Sequence, residues 1–155
     1  MNKAIVLGVG PVDGLGGQLA VRFAASGHHV FIAGRTQASL DELSSVIEGS
    51  GGRATAVVTD ATDELSIVNL LEAVDSEKGD LTLAIYNAGN NTPGRIIEMD
   101  ADYFERSWRV LCFGGFLFGR EALRRMQESG GTVLFTGASA SMRGRAGFAA
   151  FNSGK

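Results

Sequence analysis

The strongest constraint on the fold is a run of glycines that separates a short apolar segment from a helical one. Residues 4–9 are apolar and rich in β-branched side chains, which indicates a strand buried on both faces. Gly10, Gly14 and Gly16 then form a turn, and residues 15–26 have the apolar spacing of a helix. The predicted inner face of that helix is formed by Leu15, Leu19 and Phe23. A helix N-terminus that follows a glycine turn offers free N–H groups and partial positive charge, so this segment predicts a phosphate-binding loop.

Strands and helices continue to alternate along the rest of the chain. The further predicted strands are residues 29–33, 54–59, 81–86 and 132–136. The further predicted helices are residues 36–47, a segment capped by Thr62 or Asp63 that carries Leu65, Val68, Leu71 and Val74, a long helix over 100–128, and a last one from about 147. This alternation predicts an α/β fold, a Rossmann-type doubly wound parallel sheet in three αβα layers. No change of composition divides the chain, so residues 1–155 are expected to form one NAD(P)-binding Rossmann domain.

Composition excludes several classes of function. The net charge of -3 gives no electrostatic reason to expect nucleic acid or an anionic membrane as a partner. No apolar stretch is long enough to span a bilayer, and we expect a cytoplasmic protein. A single cysteine and two histidines exclude a standard zinc cluster, so no metal is predicted. Cys112 is expected to be a buried packing thiol, and His28 and His29 are expected in a surface turn.

The spacing of the glycine loop resembles that of a known enzyme family. Gly10-x-x-x-Gly14-x-Gly16 is similar to the loop of the short-chain dehydrogenases/reductases. Residues 87–89, Asn-Ala-Gly, resemble the family's Asn-Asn-Ala-Gly motif, with Tyr86 in place of the first Asn. The long helix and the strand after it also match the family's order. The resemblance implies a nicotinamide dinucleotide as cofactor and a small carbonyl or alcohol as substrate.

The same resemblance implies which residues hold the nucleotide. They belong to the glycine loop, to the ends of the second, third and fourth strands, and to the last predicted helix. The implied cofactor-binding residues are Gly10, Asp13, Gly14, Leu15, Gly16, Arg35, Thr36, Asp60, Ala61, Asn87, Ala88, Gly89 and Lys155.

The end of the second strand indicates which nucleotide is bound. A carboxylate there would accept hydrogen bonds from the adenosine ribose and favour NAD(H), whereas a 2′-phosphate needs a cation. Here Gly34 stands in place of an acid and is followed by Arg35, a bidentate phosphate donor, and by the hydroxyl of Thr36. The alternative is that Arg35 is an ordinary solvated residue. Asp13 argues against NADP(H), because NADP-dependent relatives often carry a second basic residue within the glycine loop. NADP(H) is therefore predicted in preference to NAD(H).

The family's catalytic pattern is interrupted in this chain. Its members use a Tyr as general acid/base, a Lys four residues later, a Ser that polarises the carbonyl and an Asn that supports a water relay. When Lys155 is aligned on that Lys, Phe151 occupies the Tyr position, Ala138 the Ser position and Leu111 the Asn position. Ser139 and Ser141 lie close to that position and could substitute for the Ser if the backbone shifts. Lys155 and Ser139 are the predicted catalytic residues, although Lys155 could also be an ordinary exposed lysine.

Two classes of function remain open from the sequence. One is an atypical NADP(H)-dependent oxidoreductase acting on a carbonyl or alcohol, whose proton comes from water or from a residue beyond position 155. The other is a catalytically impaired NADP(H)-binding sensor or partner-binding protein on the same fold. Because family chains continue past the aligned Lys, the 155 residues are expected to be the nucleotide-binding, N-terminal part of a longer single-domain protein.

Two further features bear on partners. The helix over 100–128 is apolar almost all round, which predicts a homo-oligomer, dimer or tetramer, or alternatively a thicker monomeric core. Arg143 and Arg145 lie in a glycine-rich loop near the expected active site. They are either solvated loop residues or groups that attract an anionic substrate.

Overall fold

The computed structural model describes residues 1–155 and contains a parallel sheet of five strands in the order β3-β2-β1-β4-β5. The strands are β1 (Lys3–Leu7), β2 (His29–Gly34), β3 (Arg53–Val58), β4 (Leu81–Tyr86) and β5 (Thr132–Phe135). From β1 the chain moves outward through β2 to β3 and then returns to the other side of β1. This reversal is the doubly wound arrangement predicted from the alternation of strands and helices, and the Rossmann-type fold is confirmed.

The helices form two layers, one on each face of the sheet. They are α1 (Leu15–Ala25), α2 (Gln37–Gly49), α3 (Glu64–Asp75), α4 (Ala101–Trp108), α5 (Gly114–Met126) and α6 (Ala149–Gly154). Two buried clusters fill the spaces between layers, one of 12 residues under α1 and α2 and one of 16 residues under α3 and α5. Successive residues of β1 alternate between them, because side chains of a strand point to opposite faces: Ile5 and Leu7 join the second cluster, Ala4 and Val6 the first.

Helix α1 meets the sheet through its smallest residues, which corrects the predicted inner face. Leu15 is exposed, and Leu19 and Phe23 are only half-buried. The buried residues of the helix are instead Gly16, Gly17, Ala20 and Ala24. The helix backbone lies so close to the β1 loop that only short side chains fit, so the larger apolar residues are displaced to its flanks.

The long predicted helix is continuous in direction but changes its winding midway. Between α4 and α5 the residues Arg109–Phe113 form a π-helical turn. The Tyr86 hydroxyl donates a hydrogen bond to the Val110 carbonyl oxygen at this turn. Gly114 follows directly, and a Cβ there would overlap the Ala61 carbonyl and the Tyr86 hydroxyl. A side chain that captures a helix carbonyl is a usual cause of such a local change, and here it seats the helix against the end of β4.

Three local expectations differ from the structure. Cys112 is exposed and not buried, because it projects from the outer side of the π-helical turn. His29 is the first residue of β2, as the predicted strand over 29–33 has it, and is not in a surface turn. It is buried, with its Nε2 2.8 Å from the Thr55 hydroxyl on β3. In α3 the capping residue is Asp63, whose carboxylate accepts from two backbone N–H groups, and Leu65 is exposed while Ile67 takes the inner position.

Strand β5 forms one edge of the sheet and is largely uncovered. It pairs with β4 on one side only. Leu134 and Phe135 are exposed large apolar side chains on this strand. None of the helices in the structure combines the length and apolar character needed to cross a bilayer.

Candidate functional site

A cleft of about 720 Å³ lies across the carboxyl ends of the central strands. The loops after β1, β2, β3 and β4 all contribute to it, at the point where the strand order reverses. Open α/β sheets bind ligands at this position, because diverging loops leave a crevice there. The predicted nucleotide-binding residues that line the cleft are Gly10, Arg35, Thr36, Asp60, Ala61, Asn87, Ala88 and Gly89.

The glycine loop forms one end of the cleft, and its glycines have different tasks. A Cβ on Gly16 would lie 2.5 Å from the Gly8 carbonyl oxygen, so this position needs glycine for close packing. A Cβ on Gly10 would meet no atom within 4 Å, and Gly10 lines the open cleft. Gly14 is the N-cap of α1, and its own N–H donates to the Pro11 carbonyl at 3.0 Å.

The start of α1 is available to an anion. The backbone amides of Leu15, Gly16 and Gly17 have no hydrogen-bond acceptor in the structure, and no acidic residue lies in the first helical turn. Asp13 is exposed just before the helix and, like Gly14, Leu15 and Gly16, does not line the cleft itself. A cradle of free N–H groups with a side-chain-free approach at Gly10 fits a dinucleotide pyrophosphate.

The other end of the cleft is basic. A Cβ on Gly34 would lie 2.5 Å from the Val9 carbonyl oxygen, so no acidic side chain fits at this position. Arg35, the next residue, is exposed, forms no salt bridge and lines the cleft together with Thr36. Arg106 and Arg109, from α4 and the turn after it, line the same cleft. Neither was found by sequence reasoning, because only the packing of the long helix brings them beside residues far away in the chain.

Asp60 is held in a fixed orientation at the end of β3. Its Oδ1 accepts hydrogen bonds from the Thr62 backbone N–H and the Thr62 hydroxyl, both at 2.8 Å. The bond from the Thr62 backbone lowers the pKa of Asp60 below its ordinary value, and the charges of Arg35 and Arg109 add to this effect. The carboxylate is therefore ionised at neutral pH, and its acceptor sites are partly used within its own turn.

Asn87 connects three strand ends beneath the cleft. Its Nδ2 donates to the Gly8 carbonyl oxygen at 2.9 Å, and its Oδ1 accepts from the Thr136 hydroxyl at 2.8 Å. Its own backbone N–H donates to the Leu7 carbonyl oxygen at 2.7 Å. Both ends of the side chain are thus engaged in the protein. Asn87 fixes the spacing between the loops after β1, β4 and β5, while Ala88 and Gly89 face the cleft.

The residues at the aligned catalytic positions lie close together. Lys155 Nζ donates to the Thr136 carbonyl oxygen at 2.7 Å and lies 6.0 Å from the centroid of the Phe151 ring. Leu111 is buried and packs against Gly154, and a Cβ on Gly89 would lie 3.4 Å from Lys155 Nζ. Burial lowers the pKa of Lys155 below its ordinary value.

Neither tyrosine of the chain has a free phenol that could replace the one absent at position 151. The Tyr103 hydroxyl donates to the Pro93 carbonyl oxygen at 2.9 Å. The Tyr86 hydroxyl is bound to Val110, and burial raises the pKa of this phenol well above its ordinary value. Ser139 and Ala138 line a second cavity beside Phe151, and the Ser139 hydroxyl makes no hydrogen bond. Ser139 is thus a free side-chain hydroxyl group that lines the same cavity as Phe151.

Comparison with known proteins gives one consistent result. Residues 3–155 match the model of the short chain dehydrogenase family. A short-chain dehydrogenase structure from Rhodopseudomonas palustris is 38% identical, with a TM-score of 0.93, over 99% of this chain and 71% of that chain.

Two curated relatives extend the comparison. The uncharacterized oxidoreductase YxbG of Bacillus subtilis (strain 168) is 30% identical over 94% of this chain and 52% of its own length. The versicolorin reductase stcU of Emericella nidulans is 28% identical over 91% of this chain and 53% of its own length. The chain thus spans about half the length of these two relatives.

Proposed function

The chain belongs to the short-chain dehydrogenase family, and on that premise we propose that it binds NADP(H) and takes part in hydride transfer to or from a small carbonyl or alcohol compound. The observation that carries the proposal is the cleft at the reversal of strand order, which runs from Gly8–Gly10 of the glycine loop to the unpaired arginines Arg35 and Arg106. The free amides at the start of α1 follow the same loop. When bound, the nicotinamide supplies or accepts the hydride.

Discrimination for NADP(H) over NAD(H) rests on the end of β2. The contact between Gly34 and the Val9 carbonyl excludes the carboxylate that would bind a free ribose hydroxyl. Arg35 has a free guanidinium, whose planar set of donors suits a 2′-phosphate, and Thr36 adds a hydroxyl beside it. Arg109 is partly engaged, because it donates to the Thr62 carbonyl oxygen at 3.3 Å, so we assign the phosphate to Arg35.

Lys155 would position the cofactor in this proposal and would not activate a phenol. Its Nζ is fixed by the Thr136 carbonyl and lies beside Gly89, which lines the cleft, although Lys155 itself does not line it. Phe151 keeps the adjoining surface apolar and has no proton to exchange. Ser139, a free hydroxyl in the cavity beside Phe151, would bind the substrate oxygen, and the proton would come from water or from a group outside these residues.

The proposal favours an enzyme over a sensor or partner-binding protein that has lost catalysis. The cleft and Lys155 remain suited to the cofactor, and of the two curated relatives compared one is named an oxidoreductase and the other a reductase. The test is NADPH binding followed by fluorescence, together with NADPH oxidation against a broad panel of carbonyl compounds. Consumption of NADPH with at least one carbonyl is expected. Tight NADPH binding without turnover on any member of the panel would instead support the sensor function.

The proposed assembly is a homo-oligomer, dimer or tetramer, that uses the outer face of α4 and α5. Phe116 and Leu123 are each 57% exposed there, and Trp108 stands on the same helical region. A patch of large apolar side chains on a surface marks an interaction site, since it is costly to leave in water. The exposed thiol of Cys112 suits a reducing compartment, and we propose the cytoplasm.

We also propose that residues 1–155 are the NAD(P)-binding part of a longer single-domain protein. The exposed edge strand β5 supports this proposal. Its Leu134 and Phe135 side chains are exposed, and no strand pairs with its outer edge. An exposed apolar edge strand is unfavourable in a finished sheet, because it templates pairing with other chains. A further strand beside β5 would cover it.

A further inference from the structure

A second cavity, of about 610 Å³, lies beside Phe151 and is separate from the nucleotide cleft. Its walls come from the segment after β5, from the loop after β4 and from the first turn of α6. Asn91 lines this cavity, whereas the preceding residue, Asn90, lines the nucleotide cleft. Neighbouring residues of the loop after β4 thus line the two spaces, and Phe151 lines the second of them.

The charged side chains that line this cavity are all positive. Arg143 and Arg145 are the only charged residues that line it, and no carboxylate does. Neither arginine forms a salt bridge or donates a side-chain hydrogen bond in the structure. Three arginines of α5 behave differently, because each is paired with a carboxylate: Arg120, Arg124 and Arg125. Two unpaired guanidinium groups on one concave surface attract an anion.

Arg145 is oriented by its neighbours while its donors stay free. Its guanidinium lies over the Phe148 ring, 5.0 Å from the centroid. A guanidinium stacked on an aromatic ring keeps its in-plane N–H groups for a carboxylate or phosphate. The Arg145 carbonyl oxygen accepts from the Asn152 side chain at 3.0 Å and from the Phe148 backbone at 3.3 Å. These bonds fix the backbone of the loop at Arg145 to α6.

Apolar and neutral polar groups complete the cavity. Phe148 and Phe151 supply two aromatic surfaces, and Ser139 supplies a hydroxyl that makes no other hydrogen bond. The volume is that of a small-molecule site. A ligand that satisfies all of these groups has an anionic end for the arginines, a short carbon skeleton for the rings, and an oxygen that can reach Ser139.

We propose that the substrate is a small carbonyl or alcohol compound that carries an oxyanion, a carboxylate or a phosphate, bound by Arg145 together with Arg143. The identity of the reacting carbon rests on the hydride-transfer function proposed above. The binding of the oxyanion rests on the cavity alone. Arg145 is thus a specificity-determining residue, and it selects charged substrates over neutral ones of equal size.

The experiment measures binding by calorimetry, and turnover separately as NADPH oxidation. Isothermal calorimetry of the NADP⁺-saturated protein compares levulinate with methyl levulinate, and dihydroxyacetone phosphate with dihydroxyacetone. Each anion is expected to bind about tenfold or more tightly than its neutral partner, and the better of the two anions identifies the oxyanion. Arg145→Gln should weaken anion binding by about 10-fold to 100-fold, since it removes a charge-assisted hydrogen bond. It should leave the neutral compounds unchanged.

Two further variants exclude a general loss of structure. Arg145→Lys keeps the charge and loses the planar fork, so its affinity for the anions should fall between wild type and Arg145→Gln. Arg22→Gln removes an exposed arginine of α1 and should change nothing. The inference is overturned if neither anion binds, if the neutral compounds bind as tightly as the anions, or if Arg145→Gln weakens both equally.

Failure of the inference differs from failure of the proposed function. Anion binding that depends on Arg145, without NADPH oxidation by any carbonyl, leaves the oxyanion site standing and removes hydride transfer. Reduction of neutral carbonyls alone, unchanged in Arg145→Gln, leaves hydride transfer standing and overturns the oxyanion site.

Discussion

The Lys155 ammonium nitrogen lies 6.0 Å from the centroid of the Phe151 ring, one helical turn earlier in the chain. A cation over an aromatic ring is attracted to its face, but the ring cannot exchange a proton. Phe151 therefore contributes an apolar surface and a weak attraction to Lys155. General acid–base chemistry would need an ionisable group at this position. A tyrosine at position 151 would supply that ionisable group and would test whether its absence limits the reaction rate.

Phe151→Tyr should raise the rate of NADPH oxidation with any accepted carbonyl. The new hydroxyl would project from a ring already beside Lys155, and positioned acid–base catalysis contributes about 100-fold or more. Initial rates over a range of pH measure the effect. Phe104→Tyr is the matched control, because that ring is partly exposed on α4 and does not line the cavity beside Phe151. An equal gain in both variants would contradict the assignment of position 151.

Arg35→Ala should reduce the affinity for NADPH by about 10-fold to 100-fold, because a charge-assisted hydrogen bond to the 2′-phosphate is lost. Affinity for NADH, which has no phosphate there, should stay the same. Fluorescence titration of both nucleotides gives the comparison, with Arg22→Ala as a control on the distant α1 surface. Tighter binding of NADH than NADPH by the natural protein, unaffected by Arg35→Ala, would show that the nucleotide assignment is wrong.

Gly16→Ala and Gly10→Ala should separate stability from binding. The added methyl group at position 16 would lie 2.5 Å from the Gly8 carbonyl oxygen and should lower the free energy of unfolding by about 1–3 kcal/mol. At position 10 the methyl group meets no protein atom within 4 Å, so stability should hold while nucleotide affinity falls. Thermal denaturation with and without NADPH distinguishes the two effects. A strongly destabilised Gly10→Ala protein would contradict this division of tasks.

Stability should decrease as the pH falls below about 6.5, the ordinary pKa of histidine. Burial lowers the pKa of His29 in the folded protein, and the charges of Arg53 and Lys3 act in the same direction. The unfolded chain therefore binds the proton more readily, and stability is lost as pH falls through this window, by up to about 1.4 kcal/mol per pH unit.

Replacing the histidine tests this explanation. His29→Gln should flatten the dependence on pH between about 6.5 and 5, whereas carboxyl groups act nearer pH 4. Denaturant unfolding at several pH values gives the slope. His28→Gln is the neighbouring control, and an unchanged slope in His29→Gln would assign the pH dependence to other groups.

Phe116→Asp should shift the protein toward a monomer. A charge at the centre of the exposed apolar face of α5 cannot be buried against a second copy without a large desolvation cost. Sedimentation velocity measures the change. Ile97→Asp is the control, since Ile97 is also exposed but lies outside α4 and α5. A protein that is already monomeric at micromolar concentration would contradict the proposed oligomer.

The repeating pattern of strands and helices was predictable, because periodicity and glycine turns are properties of neighbouring residues. Asp63 and Asp100 cap their helices for the same local reason. The predicted inner face of α1 was wrong, because it depends on how closely the helix packs against the sheet. The inner face of α1 consists of Gly16, Gly17 and alanines because its backbone lies against the β1 loop, and hydrophobicity alone favours the larger side chains that lie outside.

The candidate site was predictable where one loop carries the function and unpredictable where distant segments meet. The glycine loop and Arg35 follow strand ends, so their place at the edge of the sheet is implied by the strands. Arg109 reaches the cleft only because the π-helical turn and Tyr86 set the rotation of the long helix. Residue spacing within the helix carries no information about that rotation.

The exposed thiol of Cys112 has a practical consequence. It is the only cysteine of the chain and stands on the outer side of the turn that joins α4 to α5. A maleimide dye would therefore attach at one defined atom without any engineered cysteine. Because Cys112 lines the same surface groove as Phe116 and Leu123, that single fluorophore would report the encounter between subunits on this face.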